Sequence, residues 1–237
     1  MLVYIIFILL IFILPKLGKI KIVKGIKIYG FTAAFLFVFI FCALRFDVGY
    51  DYSMYYELIG GNIRWFNDQI NRIEYLPRKL ILLCNYIGFY QFFFISTSFV
   101  VTYFFYKAIK ENSLDKWLST IIFVCFPLFF FMSLSVVRQY VAIAIIFYCF
   151  RFIKERKIWS YLLVILLCTF IHKSAILALP IYFLYGNYVN KKIILLLYVF
   201  GFFSSEILLF ISELELLLET FVSVSVVVST SAPVERS

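Results

Sequence analysis

The 237-residue chain is 65% hydrophobic and 22% aromatic, with 15% charged side chains and a mean hydropathy of +1.02, too little polar surface to coat a soluble globule of this length. Long apolar runs broken by short polar ones predict an all-α, polytopic transmembrane helix bundle, because helices satisfy their own backbone hydrogen bonds in lipid; the two-residue alternation of a membrane β-barrel is missing. The net charge of +9 would suggest nucleic acid in a soluble protein, but basic loops held on the cytoplasmic side account for it, and no nucleic-acid partner is expected.

The first run, Leu2 to Leu14, is followed by basic residues instead of preceded by them and ends in no A-x-A-like site, which reads as a short spanning helix more than a cleaved signal. Apolar runs then give about eight spans, near 2–15, 28–44, 80–106, 117–132, 137–153, 158–172, 174–186 and 193–211. The run 80–106 is too long for one crossing, so an interfacial helix at Arg78 to Tyr86 is expected to precede its spanning part. Pro180 and Gly186 are expected to shorten or kink the seventh span. Five cysteines lie singly within apolar segments, with no zinc spacing, and read as buried free thiols.

Charge sets the orientation. Lys and Arg of 16–27, 107–116, 151–157 and 191–192 make up 14 of the 22, and these segments alternate with segments that hold seven. The positive-inside rule puts the first set in the cytoplasm and the amino terminus outside. Arg45, Asp47, Asp51, Arg138, His172 and Lys173 then share the outer side, although they come from three distant parts of the chain. Residues 1–211 form the membrane domain, with 45–79 as its main extracytoplasmic loop.

That loop opens RFDVGYDYSMYYELI and carries Asp47, Asp51, Glu57, Asp68 and Glu74 among many tyrosines, with Trp65 and Phe66. Rings interleaved with carboxylates suit sugar recognition, since rings stack on pyranose faces while polar tips bind hydroxyls; an interfacial aromatic belt is the competing reading. In Met132 to Ala144, MSLSVVRQYVAIA, Arg138 and Gln139 begin an otherwise apolar helix. An arginine there costs on the order of 2.5 to 3.5 kcal/mol unless it faces a bundle interior or a watery cavity. It is a functional candidate by default, with snorkelling to the headgroups as the alternative. Asp47 and Asp51 around Gly49 would equally suit turn caps. No metal cluster, glycine-rich phosphate loop or nucleotide fingerprint is present, and no cofactor is expected. Residues 212–237, acidic and then Val/Ser-rich, depart from the preceding composition; they read as a strand-like or disordered tail, or as an altered or truncated reading frame.

Three motifs carry a resemblance. Arg45-Phe-Asp47-Val-Gly49-Tyr-Asp51-Tyr52-x-x-Tyr55, Ser133-x-Ser135-x-x-Arg138-Gln139-x-x-Ala142, and Phe170-Ile171-His172-Lys173-Ser174-Ala175 with Pro180 beyond together resemble the EpsG-type branch of the Wzy-like bacterial polysaccharide polymerases. They are similar to that family's R-x-D-x-G-x-D-Y-x-x-Y, S-x-x-R-Q-x-x-A and F-H-x-S-A segments, with Ile171 inserted in the last. Family members are usually longer, so a shortened carboxyl-terminal part is expected here.

The resemblance implies an enzyme of the bacterial cytoplasmic membrane that serves O-antigen, capsule or exopolysaccharide synthesis. It would move a growing glycan from a polyprenyl pyrophosphate carrier to the next lipid-linked repeat on the outer face, beside flippase and chain-length regulator partners. Arg138, His172 and Asp51 would be catalytic, the arginine meeting developing phosphate charge and His172 or Asp51 taking the hydroxyl proton. Arg45, Asp47, Tyr52, Gln139, Lys173 and Ser174 would bind substrate. A lipid-linked glycan flippase and a membrane acyltransferase are the competing functions; a flippase would show repeat symmetry and midplane charges.

Overall fold

A computed structural model describes residues 2–21, 27–61 and 66–185. Trp65, the apolar run 193–211 and the tail 212–237 lie outside the described residues. Of the described residues, 79% are helical. Helix α1 (Leu2–Ile13) leads through a 3-10 turn to a two-stranded antiparallel ribbon, β1 (Lys19–Lys21) and β2 (Lys27–Tyr29), in which Ile20 pairs with Ile28. The ribbon stands where the sequence reads only as a basic loop. Then come α2 (Gly30–Ala43), α3 (Tyr52–Gly60), α4 (Phe66–Arg72), α5 (Tyr75–Ile87), α6 (Gln91–Asn112), α7 (Lys116–Cys125), α8 (Phe130–Ser135), α9 (Val137–Lys154) and α10 (Ile158–Thr169). A 3-10 segment (Lys173–Ala178) and α11 (Leu179–Leu184) follow.

Helix α6, with 22 residues and about 33 Å of length, is the one helix among the described residues long and apolar enough to cross a membrane. Helices α1, α2, α7 and α10 and the segment 173–184 are apolar but shorter. The expected run 80–106 is two helices, split where Gly88 takes the left-handed conformation at φ 73°. Its amide bonds back to Cys84 at 2.9 Å, which stops α5 before α6 starts. The run 117–132 is likewise divided, because α7 ends ahead of Pro127, whose ring could not continue the helix. Pro180 lies at the start of α11, where its missing amide costs nothing.

Two clusters of buried side chains hold the bundle. One joins α1, α2, α6, α7 and the α8–α9 corner, with Phe7 stacked 4.1 Å from Phe41 and Phe105 at 4.5 Å from Phe123. Ala34 and Ala144 are fully buried there, small enough to let backbones approach closely. The other joins α3, α4 and α5 to the first turns of α6, where Tyr55 lies 4.6 Å from Phe93.

The bundle has two polar ends. At one, Lys16 rides 4.0 Å over Trp117, whose indole N–H bonds to the Phe12 carbonyl, and Lys154 reaches Asn112 at 2.9 Å. At the other, Gln91 at the start of α6 bonds to the Ala43 and Arg45 carbonyls at the end of α2. The basic segments 16–21, 107–116 and 151–157 gather at the first end; Arg45, Asp51, Arg138 and His172 belong to the second.

Candidate functional site

The site is made by three turns of chain. In the first, Asp47 (φ 50°) and Gly49 (φ 103°) adopt left-handed backbone, so the chain doubles back into α3. The Tyr52 amide closes the turn on the Gly49 carbonyl at 3.1 Å. A Cβ at Gly49 would stand 2.0 Å from the Leu134 carbonyl oxygen, so only glycine lets this backbone press against the end of α8. That contact carries Asp51 to the first turn of α9, where helix amides add partial positive charge.

Burial raises the Asp51 carboxyl above the ordinary carboxylate range, while Arg138, the Val137 amide and Arg45 pull it back. A carboxyl whose folded pKa is raised favours the fold while protonated and loses that contribution as pH rises through the folded value. Ionised Asp51 therefore burdens the fold at neutral pH. Asp51→Asn is expected to raise the thermal midpoint in detergent at pH 7, with the difference from wild type shrinking below about pH 4. An unchanged or lower midpoint at pH 7 would mean that attraction to Arg138 outweighs burial.

The second turn presents Glu74 just ahead of α5, with its side chain only 7% exposed. Glu74 Oε2 accepts a hydrogen bond from Arg138 Nη1. Its Oε1 lies 3.2 Å from His172 Nδ1 and accepts the Lys173 amide at 3.3 Å. Beside it, the Leu76 amide bonds to the Phe170 carbonyl at 3.0 Å, tying the start of α5 to the end of α10. Burial alone would raise the Glu74 carboxyl. Its own amide, Arg138, the Lys173 amide and His172 outweigh that and hold it below the usual range, so it is ionised at neutral pH.

The third turn is the start of α9. Arg138 Nε donates to the Tyr55 hydroxyl at 2.7 Å. Burial pushes that phenol up to about 12 against the pull of Arg138, and it stays neutral. With Nε and Nη1 engaged, Arg138 Nη2 makes no hydrogen bond among the described residues and is left to meet an anion. An apolar hollow of about 150 Å³ between Pro77, Phe93 and Val141 backs the guanidinium. His172, with a side chain 24% exposed, is within ion-pair reach of Glu74, although its ring is not turned for a straight hydrogen bond.

The remaining candidates lie apart from this centre. Arg45 is 7% exposed and sits 4.9 Å over the Phe94 ring, with Nε and Nη2 unpartnered, in a slot walled by Cys42, Thr97, Ser98 and Ser133. It acts on Asp51 through its charge and not by contact. Tyr52 is buried and stacked 4.5 Å from Phe94 and 6.1 Å from Tyr56, so its ring is already engaged in packing. Asp47 is exposed. The Lys173 side chain is exposed too, while its amide holds Glu74. Gln139 and Ser174 face away from Arg138 into a groove between α9, α10 and the 173–184 segment.

Two residues matter more than the sequence suggested. Glu74 is one of five carboxylates in 45–79 with no local pattern to rank it. Its one signal is position: it immediately precedes a helix whose first turn contains Pro77, a place where an acid side chain favours the helix start. Tyr55 closes the first motif and is fully buried.

The EpsG family profile matches residues 27–230, a stretch that contains all three turns of this centre. The chain belongs to the EpsG family. No curated protein and no solved structure matches it. Membership in the EpsG family points to a membrane-associated role of polysaccharide-polymerase type.

Proposed function

We propose that the chain is an integral-membrane polysaccharide polymerase that joins polyprenyl-pyrophosphate-linked oligosaccharide repeats on the outer face of the bacterial cytoplasmic membrane. The observation that carries this reading is the single carboxylate, Glu74, held between a guanidinium and an imidazole. In the reaction, the acceptor hydroxyl oxygen forms a bond to the anomeric carbon of the growing chain as the bond from that carbon to the pyrophosphate oxygen breaks. The leaving pyrophosphate gathers negative charge, which Arg138 meets through Nη2, the guanidinium nitrogen that Tyr55 and Glu74 leave unengaged. The hydroxyl proton passes to His172. Glu74 Oε1 stands 3.2 Å from Nδ1, which leaves Nε2 as the ring nitrogen to take the proton. Asp51, next to Arg138, is the second candidate acceptor, and Tyr55 fixes the guanidinium plane.

The test is complementation of a bacterial strain that lacks its own polymerase, with the length distribution of the surface glycan as readout. Wild-type chain is expected to restore long polymer. His172→Ala should lower elongation by roughly a hundredfold or more, the scale of a lost general base. Glu74→Gln should fall between the two, with single repeat units accumulating on lipid. Polymer of wild-type length from both variants would remove the acid–imidazole pair from the mechanism.

A further inference from the structure

Helix α9 has two working faces. Arg138 and Val141 look toward α5 and α6, whereas Gln139, Ile143, Ile146, Phe150 and Ile153 look toward α10 and the 173–184 segment. Those five follow helical spacing along one stripe, and from Gln139 to Ile153 the stripe runs about 21 Å. The groove that it walls encloses about 580 Å³ and is open on one side. At one end Gln139 and Ser174 line it, next in sequence to Arg138 and Lys173, while the other polar side chain, Tyr161, has its hydroxyl bonded to the Ala178 carbonyl at 2.7 Å. The Lys173 side chain is exposed and has no ion-pair partner among the described residues. An apolar channel with hydrogen-bonding groups at one end, and an exposed cation one residue along the chain from Ser174, is complementary to a long hydrocarbon chain with an anionic head. The hollow behind Arg138, at about 150 Å³, is much smaller.

We propose that this groove holds the isoprenoid chain of the lipid-linked substrate, with Lys173, Gln139 and Ser174 receiving the phosphate end beside the Glu74 centre. The inference rests on the polymerase reading for the identity of the lipid. Its occupant is nevertheless testable without any sugar transfer.

The purified chain in lipid nanodiscs would be titrated with a short (farnesyl) and a long (undecaprenyl) isoprenoid phosphate. Wild type is expected to bind the long chain more tightly. Leu177→Trp and Ile143→Trp fill the groove from positions 75% and 37% exposed, where a larger side chain is tolerated. Each should weaken long-chain binding by about tenfold or more, as expected from losing a few buried methylene groups, while short-chain binding stays within about twofold. Equal effects on both lengths, or equal competition by phosphatidylglycerol, would overturn the proposal in favour of ordinary lipid contact. A wild type with no chain-length dependence would overturn it as well. Glycan length in the complemented strain is scored separately: loss of polymerisation with intact chain-length binding would refute the reaction and leave the groove standing.

Discussion

Arg138→Ala is expected to abolish chain elongation, leave single repeat units on their lipid, and weaken the fold as well. The stability effect comes from Glu74. Its side chain is 7% exposed, and the guanidinium that neutralises Oε2 would be gone. Stranding one partner of a buried ion pair costs about 3 kcal/mol or more, and because the Arg138 side chain is 23% exposed the lower part of that range applies. The catalytic effect proposed has a separate origin, the loss of the cationic Nη2 offered to the pyrophosphate. Arg138→Ala combined with Glu74→Gln separates the two: the double variant should regain much of the lost thermal stability and none of the elongation. Arg138→Lys keeps one charge but has no planar fork with which to hold Tyr55 and Glu74 together, so a partial return of short polymer is expected. Full-length glycan from Arg138→Ala would end the role given to this residue.

Gly49→Ala should be nearly as damaging although it removes no functional group. At φ 103° a side chain is strained by roughly 1–3 kcal/mol. The added methyl would also have to displace the Leu134 carbonyl, which is backbone and has little room to give. The 45–51 turn would lift from α8, taking Asp51 away from Arg138. The expected result is a lower thermal midpoint and loss of elongation together, measured on detergent-purified protein and in the complemented strain. A variant with normal stability and normal polymer would show that the loop need not touch the α8–α9 corner.

These two residues also show what the sequence could and could not reveal. An all-helical, membrane-associated class and the places of α1, α2, α9 and α10 were legible because hydropathy is a property of contiguous segments; α3 and α4, inside what reads as a loop, were not. So was the gathering of Arg45, Asp51, Arg138 and His172 at one end, which followed from counting lysines loop by loop. Pairings across the chain were not. Arg138 and Gln139 adjoin in sequence, yet helical geometry turns them about 100° apart, and one faces Glu74 while the other faces the groove. Tyr52 looked like a sugar platform, but its ring is packed on Phe94. Glu74 was hidden among similar carboxylates because its partners are 64 and 99 residues away. The split of 80–106 followed from its excess length, whereas the break ahead of Pro127 lay hidden inside 117–132, which read as one span although a missing amide acts locally.

Those same separations impose an order on biogenesis. A chain threaded into the bilayer amino terminus first delivers residue 74 long before residues 170–173 emerge from the ribosome, so its acid waits for a cationic partner from α9 and an amide from beyond α10. Synthesis halted within α10 would leave Glu74 paired with Arg138 through Oε2 but with Oε1 lacking both the Lys173 amide and the His172 ring. The α9 start and the turn after α10 thus complete the surroundings of a carboxylate laid down in the first third of the chain.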